Sequence, residues 1–377
     1  MTRKWQSISG LIAAILIGGC GSVPQFVPHP DGGRTQAISV SPTDRAHIVI
    51  AKEFGGAWET LNAGRTWRHL DALPAALASD LQFGVDGSTL VATLDAGGQR
   101  SGIWLSRDGG QRWTRPLRGE VPHAGIPTGA SAWGISFAPD ATHRWYAGTD
   151  SGVARSDDNG ESWQHVGVHR GLPPQAAVDR RGAARSVLAL AGGVVLAMLD
   201  DGIYRSSDHG LTWDKILEAN FTSINHAGVN NMDRAPDGRR ALILQDYWTL
   251  LVYDPETGSF TDVRLPADAG SKTRGAFVRI TQPASGGTTP RAALTIWIGQ
   301  GAVTRVATVS TLDAIGMLRA ADWTPLGRAQ GIDSAAGDLG VSREFQPVLL
   351  GTDGGGFRPA PAGLLRWDSA ATQRSSP

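Results

Sequence analysis

Three observations predict an all-β chain made of repeated four-stranded units. An eight-residue motif recurs four times at a nearly constant period. The runs between its copies are short, rich in Val, Ile, Leu and aromatic residues, and broken by Gly, Asp, Asn and Pro. No stretch of the 377 residues carries a convincing helical period. The clearest copy is Ser156-Asp157-Asp158-Asn159-Gly160-Glu161-Ser162-Trp163. Ser106 to Trp113 and Ser206 to Trp213 match it, and Thr60 to Trp67 is a looser first copy. The starts at 60, 106, 156 and 206 lie 46, 50 and 50 residues apart.

The residue types explain why this motif turns the chain. The third position (Asn62, Asp108, Asp158, Asp208) supplies an oxygen that accepts backbone N–H bonds from residues just ahead. The Gly at position five permits a positive φ. The closing Trp (Trp67, Trp113, Trp163, Trp213) starts the next strand and brings about 150–250 Å² of buriable surface. The motif is therefore a hairpin turn fastened by an aromatic residue, and Trp163→Ala is predicted to cost about 3–5 kcal/mol. The pattern resembles the Asp-box (BNR) repeat of sialidases, xyloglucan-degrading glycosidases, sortilin-type receptors and a photosystem assembly factor. That resemblance implies a β-propeller. It does not choose among functions, because those families use one fold differently.

Before the repeats, Arg3 and Lys4 precede an apolar run from Ile8 to Ile17, too short to span a bilayer. Ile17-Gly18-Gly19-Cys20 resembles a bacterial lipoprotein processing site, which implies a signal peptide over 1–19 and acylation of Cys20. Cys20 is the single cysteine, so no intramolecular disulfide can form. Acyl chains contribute about 0.8 kcal/mol per buried CH₂, so two or three anchor a protein firmly. Gly21 after the cysteine leans toward the outer membrane, and the predicted location is extracytoplasmic and lipid-anchored. Residues 20–35 then read as a Pro- and Gly-containing tether. Basic and acidic residues balance at 35 each, which removes any bulk electrostatic reason to expect nucleic acid.

From 36 to 368 the chain reads as one propeller of seven four-stranded blades, with 369–377 as a tail. Strand signals include 47–51 in the first unit, 90–93 in the second, 145–149 in the third and 194–198 in the fourth. Beyond residue 220 the motif decays but the rhythm continues: 241–244 and 250–253 in a fifth unit, 294–298 in a sixth, and 348–352 followed by Leu365-Arg366-Trp367 in a seventh. Because units five to seven are degenerate, six or eight blades stay open as alternatives. Closure leaves only short, protected strand edges.

Labelling the strands of each blade A to D outward, B–C turns and D–A connections share one face, while A–B and C–D turns share the other. The motif turns are C–D turns, so their carboxylates are scaffold. The B–C turns carry Glu53, Asp95, Asp150, Asp200, Asp246, Gln300 and Asp353, a predicted crown around one mouth of the axis. The same residues also suit ordinary Asp-Gly hairpin chemistry. Two D–A connections add polar groups: 169–185 with Arg170, Arg180, Arg181 and Arg185, and 220–234 with His226, Asn230, Asn231 and Asp233. Trp248 offers an aromatic platform for a sugar ring. The candidate binding set is Asp95, Asp150, Asp200, Asp246, Trp248, Asp353, His226 and Arg181.

Three functions compete. The sialidase resemblance implies a Tyr nucleophile, but Tyr146, Tyr204 and Tyr253 fall on strands, leaving Tyr247, and the Phe/Tyr-Arg-Ile-Pro signature is missing. The xyloglucanase resemblance implies two Asp in Thr-Asp-Gly-Gly-like turns, matched by Thr149-Asp150-Ser151-Gly152 and Thr352-Asp353-Gly354-Gly355. That family uses two facing propellers, and an inverting pair needs about 6.5–9.5 Å between carboxyls. The third reading, a non-catalytic scaffold for a protein or carbohydrate partner, is favoured because no catalytic constellation is complete; Asp150 and Asp353 are the only catalytic candidates. The nine His are scattered without zinc spacing, and no Gly-rich phosphate loop leads from strand to helix. No cofactor or metal is expected, and a monomer is.

Overall fold

The computed structural model describes residues 26–27, 35–74, 78–95, 100–117, 131–167, 171–172, 183–219, 221, 231–245, 248–266, 276–282, 294–300, 303–326, 336–342, 347–352 and 356–357. The signal segment, Cys20 and the tail lie outside them. The fold is an all-β propeller.

Six blades are each four consecutive antiparallel strands. The first is β2 (Thr35–Val40), β3 (Ile48–Lys52), β4 (Gly56–Thr60) and β5 (Arg68–His69). The second is β6 (Ala78–Phe83), β7 (Leu90–Leu94), β8 (Gly102–Ser106) and β9 (Thr114–Leu117). The third is β10 (Ala132–Phe137), β11 (Trp145–Thr149), β12 (Gly152–Ser156) and β13 (Gln164–Val166). The fourth is β14 (Ala184–Ala189), β15 (Val195–Leu199), β16 (Gly202–Ser206) and β17 (Asp214–Glu218). The fifth is β18 (Met232–Arg234), β19 (Ala241–Leu244), β20 (Thr249–Asp254) and β21 (Ser259–Arg264). The sixth is β22 (Ala276–Thr281), β23 (Leu294–Gln300), β24 (Val303–Val309) and β25 (Thr324–Leu326). Its insertion before Trp323 consists of two short 3-10 turns, Asp313–Met317 and Ala320–Asp322.

A further four-stranded sheet is composite. It holds β26 (Ala336–Val341), β27 (Pro347–Thr352) and β28 (Gly356–Phe357), and its outer strand is β1 (Phe26–Val27) from the other end of the chain. This corrects two expectations. Residues 26–27 belong to the folded body rather than to a tether over 20–35. The last unit is also not a contiguous blade running to Trp367, which lies outside the described residues. Pairing β1 with β28 covers a strand edge that would otherwise template association with another chain.

The innermost strands close a circle in the order β2, β6, β10, β14, β18, β22, β26 and back to β2. Most of their described side chains are buried, because each strand is packed on both sides, although every strand also carries at least one polar or charged residue. Polar bonds tie neighbours together at every step. Ser39 Oγ accepts from Phe83 N at 3.0 Å and Ser136 Oγ from Ala189 N at 3.0 Å. Asp80 Oδ2 accepts from Ile135 N at 2.8 Å, Asp233 Oδ2 from Ile280 N at 2.9 Å, and Asp338 Oδ2 from Ile38 N at 2.9 Å. Arg234 Nη1 donates to Ala189 O at 2.9 Å, and Arg279 Nη2 lies 2.8 Å from Asp338 Oδ1.

The four repeat turns share one geometry, except that the indole N–H of Trp67 in the first is left without a partner. In the third blade, Ser156 Oγ bonds Asp158 Oδ1 at 2.7 Å and accepts from Gly160 N at 2.8 Å. Asp158 Oδ1 then accepts from Ser162 N at 2.9 Å, and Trp163 Nε1 donates to Gly160 O at 3.1 Å. Gly160 has φ 87°, and a Cβ there would lie 2.4 Å from the Trp145 ring. Position four is also left-handed, at Ala63, Gly109, Asn159 and His209, which the motif does not announce. Its N–H reaches an A–B turn: Ala63 to Ala46 O, Gly109 to Ser88 O, Asn159 to His143 O and His209 to Gly193 O. A–B and C–D turns therefore share a face, as strand alternation predicts.

Candidate functional site

On the opposite face, three of the predicted crown residues come together through bridging side chains. Asp95 follows β7, and its Oδ1 accepts the Ser131 hydroxyl in a short bond. Its Oδ2 accepts Trp133 Nε1 at 3.1 Å. Asp150 Oδ2 accepts from Ser131 N at 3.1 Å, and Asp150 N donates to Ser131 O at 3.0 Å. Arg185 Nε lies 2.5 Å from Asp200 Oδ1, with its guanidinium 5.8 Å from the centre of the Trp133 ring. Asp95, Asp150 and Asp200 are thus joined across the second, third and fourth blades. They act as acceptors for scaffold donors, and Arg185 is neutralised by Asp200.

The sequence places the other candidates less well. Asp246, Asp353, His226 and Arg181 lie outside the described residues. Trp248 is half-buried, and its carbonyl accepts Leu265 N at 2.8 Å. Glu53 sits in the β3–β4 turn, whereas Gln300 pairs within β23. Two residues assigned to connections are on inner strands instead, Arg185 on β14 and Asp233 on β18. Ser131 and Trp133, which hold the crown together, were not anticipated. Trp133 is 8 % exposed, so it packs rather than offering a platform. The three strand tyrosines are also walled in: Tyr146 and Tyr253 are buried, and burial pushes the Tyr146 phenol up to about 12. None of the three presents a nucleophile.

The second feature is an axial cavity of about 540 Å³, which opens between A–B turns on the face carrying the repeat turns. Pro42, Val85, Pro139 and Thr142 stand at its mouth, and Asp80, Asp233, Arg234 and Arg279 line its depth. Asp80 and Asp338 are 2 % and 1 % exposed. Burial pushes the Asp80 carboxyl up to about 7 despite the N–H groups of Ile135 and Leu81 and the Gln82 amide, which favour its charge. Burial likewise lifts Asp338 to about 6 against the pull of Arg279, and raises Asp233. For Arg279, burial works against the charge, but Asp338, Asp233 and Asp80 together outweigh it and hold the guanidinium protonated. Arg234 donates to the carbonyls of Phe137 and Ala189 at 3.0 and 2.9 Å. Part of the signal for this cluster was present in the sequence, since an Asp interrupts a mainly apolar run at Asp80 and Asp338, whereas Asp233 sits among polar residues. Among the described residues, no three His, Cys, Asp or Glu side chains are grouped to hold a metal ion.

No family model matches the chain. A segment of 181 residues is 28 % identical to an oligoxyloglucan-reducing end-specific xyloglucanase of Emericella nidulans, covering 46 % of this chain and 21 % of that protein. The chain therefore spans about a fifth of the length of this curated relative. Among solved structures, YCF48 bound to D1 peptide superposes with a TM-score of 0.58 at 16 % identity, over 90 % of this chain and 96 % of that one. YCF48 from Cyanidioschyzon merolae gives 0.56 at 13 % identity, over 89 % and 98 %. The GH74 xyloglucanase from Xanthomonas campestris gives 0.57 at 15 % identity, over 88 % of this chain and 52 % of that one. These likenesses show a shared propeller fold.

Proposed function

We propose that this chain is a non-catalytic Asp-box propeller that holds a protein or glycan partner on the face carrying Asp95, Asp150 and Asp200. One observation carries the reading. The described crown carboxylates accept bonds from Ser131, Trp133 and Arg185, so they serve the scaffold rather than standing ready as an acid and a base. A glycosidase needs a free pair, one protonated and one ionised, across a sugar ring. Size agrees with this reading, since the chain matches 96 % of YCF48, a propeller whose structure holds a D1 peptide, but about half of the GH74 enzyme.

The same proposal takes the propeller as a monomer with seven blades, the composite sheet being the seventh. It also takes Cys20 as the acylated residue that tethers the propeller outside the cytoplasm, with the unassigned turns at Asp246 and Asp353, together with Trp248, His226 and Arg181, completing the partner surface. A second reading, a xyloglucan-degrading hydrolase, is favoured by the 28 % identical segment. Incubating the full chain with xyloglucan oligosaccharides and sialosides separates the two. The scaffold reading expects no sugar release; release that disappears in Asp150→Asn or Asp353→Asn would replace it with the hydrolase.

A further inference from the structure

The inner circle carries more buried negative charge than positive. Asp80 on β6, Asp233 on β18 and Asp338 on β26 face the axis region with Arg279 on β22 and Arg234 on β18. Of these cations, Arg279 forms the ion pair with Asp338, and Arg234 is directed at two backbone carbonyls. The neighbouring strands β2 and β10 hold no titratable side chain, and the Arg185 of β14 is paired with Asp200 on the far face. Asp140, in the A–B turn of the third blade, acts on Arg234. Full ionisation therefore leaves three carboxylates against two guanidinium groups, with Asp80 and Asp338 almost wholly buried, where an unbalanced charge is costly.

The three carboxylates also do the same structural work. Each accepts the N–H of an isoleucine on the next inner strand, at Ile135, Ile280 and Ile38. The chain runs from the outer strand of one sheet to the inner strand of the next at each of the seven junctions, β1 to β2 included, and the pairing of β1 with β28 closes the ring.

We propose that Asp80, Asp233 and Asp338 together hold one proton beside the axial cavity, and that its release as pH rises loosens the inner strands. The carboxylates are coupled, because charge on Asp338 disfavours ionisation of Asp80 and charge on Asp233 disfavours that of Asp338. Their proton affinity is higher folded than unfolded, so the stabilisation is greatest at low pH and falls as pH rises through about 6 to 7. The axial cavity beside these groups gives water a place to enter and solvate the released charge.

Amide exchange on the full chain, corrected for intrinsic rates, tests this at pH 5.5 and 8.0. Protection at Ile38, Ile135 and Ile280 should fall by about tenfold or more at the higher pH, one pKa unit being tenfold. The repeat-turn amides of Gly160 and Gly210 should hold steady, and Asp80→Asn should abolish the difference. Carboxyl ¹³C titration of the wild-type chain decides the matter even if that variant does not fold. A carboxyl resonance that titrates near 6 to 7 supports the proposal. Equal protection at both pH values, or every aspartate titrating below about 5, overturns it.

Discussion

The aspartates of the repeat turns and those of the inner circle perform the same task under opposite electrostatics. Asp158 and Asp208 stand near the surface and accept backbone N–H and hydroxyl bonds from their own turns. Burial is the largest single influence and opposes their charge, but the hydrogen bonds together outweigh it and hold both carboxyls below the usual range, Asp208 at about 2. Asp80 and Asp338 accept equally good backbone bonds, yet burial dominates and lifts them to about 7 and 6. Hydrogen bonds of similar length thus stabilise an ionised group at the rim and fail to do so near the axis. The difference lies in the solvent that each position has lost.

Removing a cation from the inner circle should have the largest effect. Arg279→Met leaves Asp338 without its ion pair and is expected to cost about 3–5 kcal/mol, as broken buried pairs do. Chemical denaturation should show the loss to be greater at pH 8 than at pH 5.5, because at the lower pH protonation relieves the unpaired carboxylates. An equal loss at both pH values would break the comparison.

The rim has one deeply anchored turn. Trp213 is 4 % exposed, with Nε1 bonded to Gly210 O at 2.9 Å, and a Cβ on Gly171 would lie 1.7 Å from its carbonyl oxygen. Trp213→Ala should therefore cost about 3–5 kcal/mol. Trp163 is only half-buried, so the loss expected for it from sequence is too large, and Trp163→Ala should cost clearly less in the same denaturation series. Asp208→Ala removes bonds from Leu211, Thr212 and Ser206, which points to about 1–2 kcal/mol at pH 7.

The comparison also fixes the shape of the pH profile. For Asp208 the folded pKa is depressed, so its contribution is present above the unfolded value and is lost as pH falls toward about 2. For Asp80 the folded pKa is raised, so stability declines as pH climbs toward about 7. Thermal unfolding should then be hardest near pH 4, about the unfolded Asp value. Asp80→Asn should flatten the alkaline limb and Asp208→Asn the acid limb.

How much of this was legible follows from the range of the interactions. The repeat turns were readable because the bonds of Ser156, Asp158 and the Trp163 indole close within eight residues, whereas the bond of Asn159 N to His143 O in another turn was not. Face alternation followed from strand direction alone. The composite sheet was not readable, because pairing Phe26 with Phe357 depends on ring closure and leaves no local trace. The crown was half readable: Asp95, Asp150 and Asp200 are in place, but Ser131 and Trp133 bridge them across blades, and no spacing rule encodes that. Asp80 and Asp338 broke a mainly apolar pattern visibly, and Asp233 did not. Their meaning depended on Arg279, which sits 59 positions from Asp338 in the chain and 2.8 Å away in space.

The smallest expected effect is the most direct probe of the rim. The first repeat turn has Asn62 where the others have Asp, and the side-chain oxygen keeps its place: Oδ1 accepts Thr66 N at 2.9 Å. Its Nδ2, however, donates to Thr66 Oγ1 at 2.8 Å, whereas in the fourth blade Thr212 Oγ1 donates to Asp208 Oδ2 at 2.6 Å. Asn62→Asp lets the threonine hydroxyl rotate and donate, exchanging a neutral bond for a charge-assisted one at an exposed site. A gain of about 0.5 kcal/mol in chemical denaturation at neutral pH and low salt is expected, small because solvent screens the new charge. The gain should vanish as pH falls below the unfolded Asp value of about 3.9, since only the ionised group has the advantage. A substitution that destabilises the chain at pH 7 would mean that the turn, and not its charge, sets the geometry.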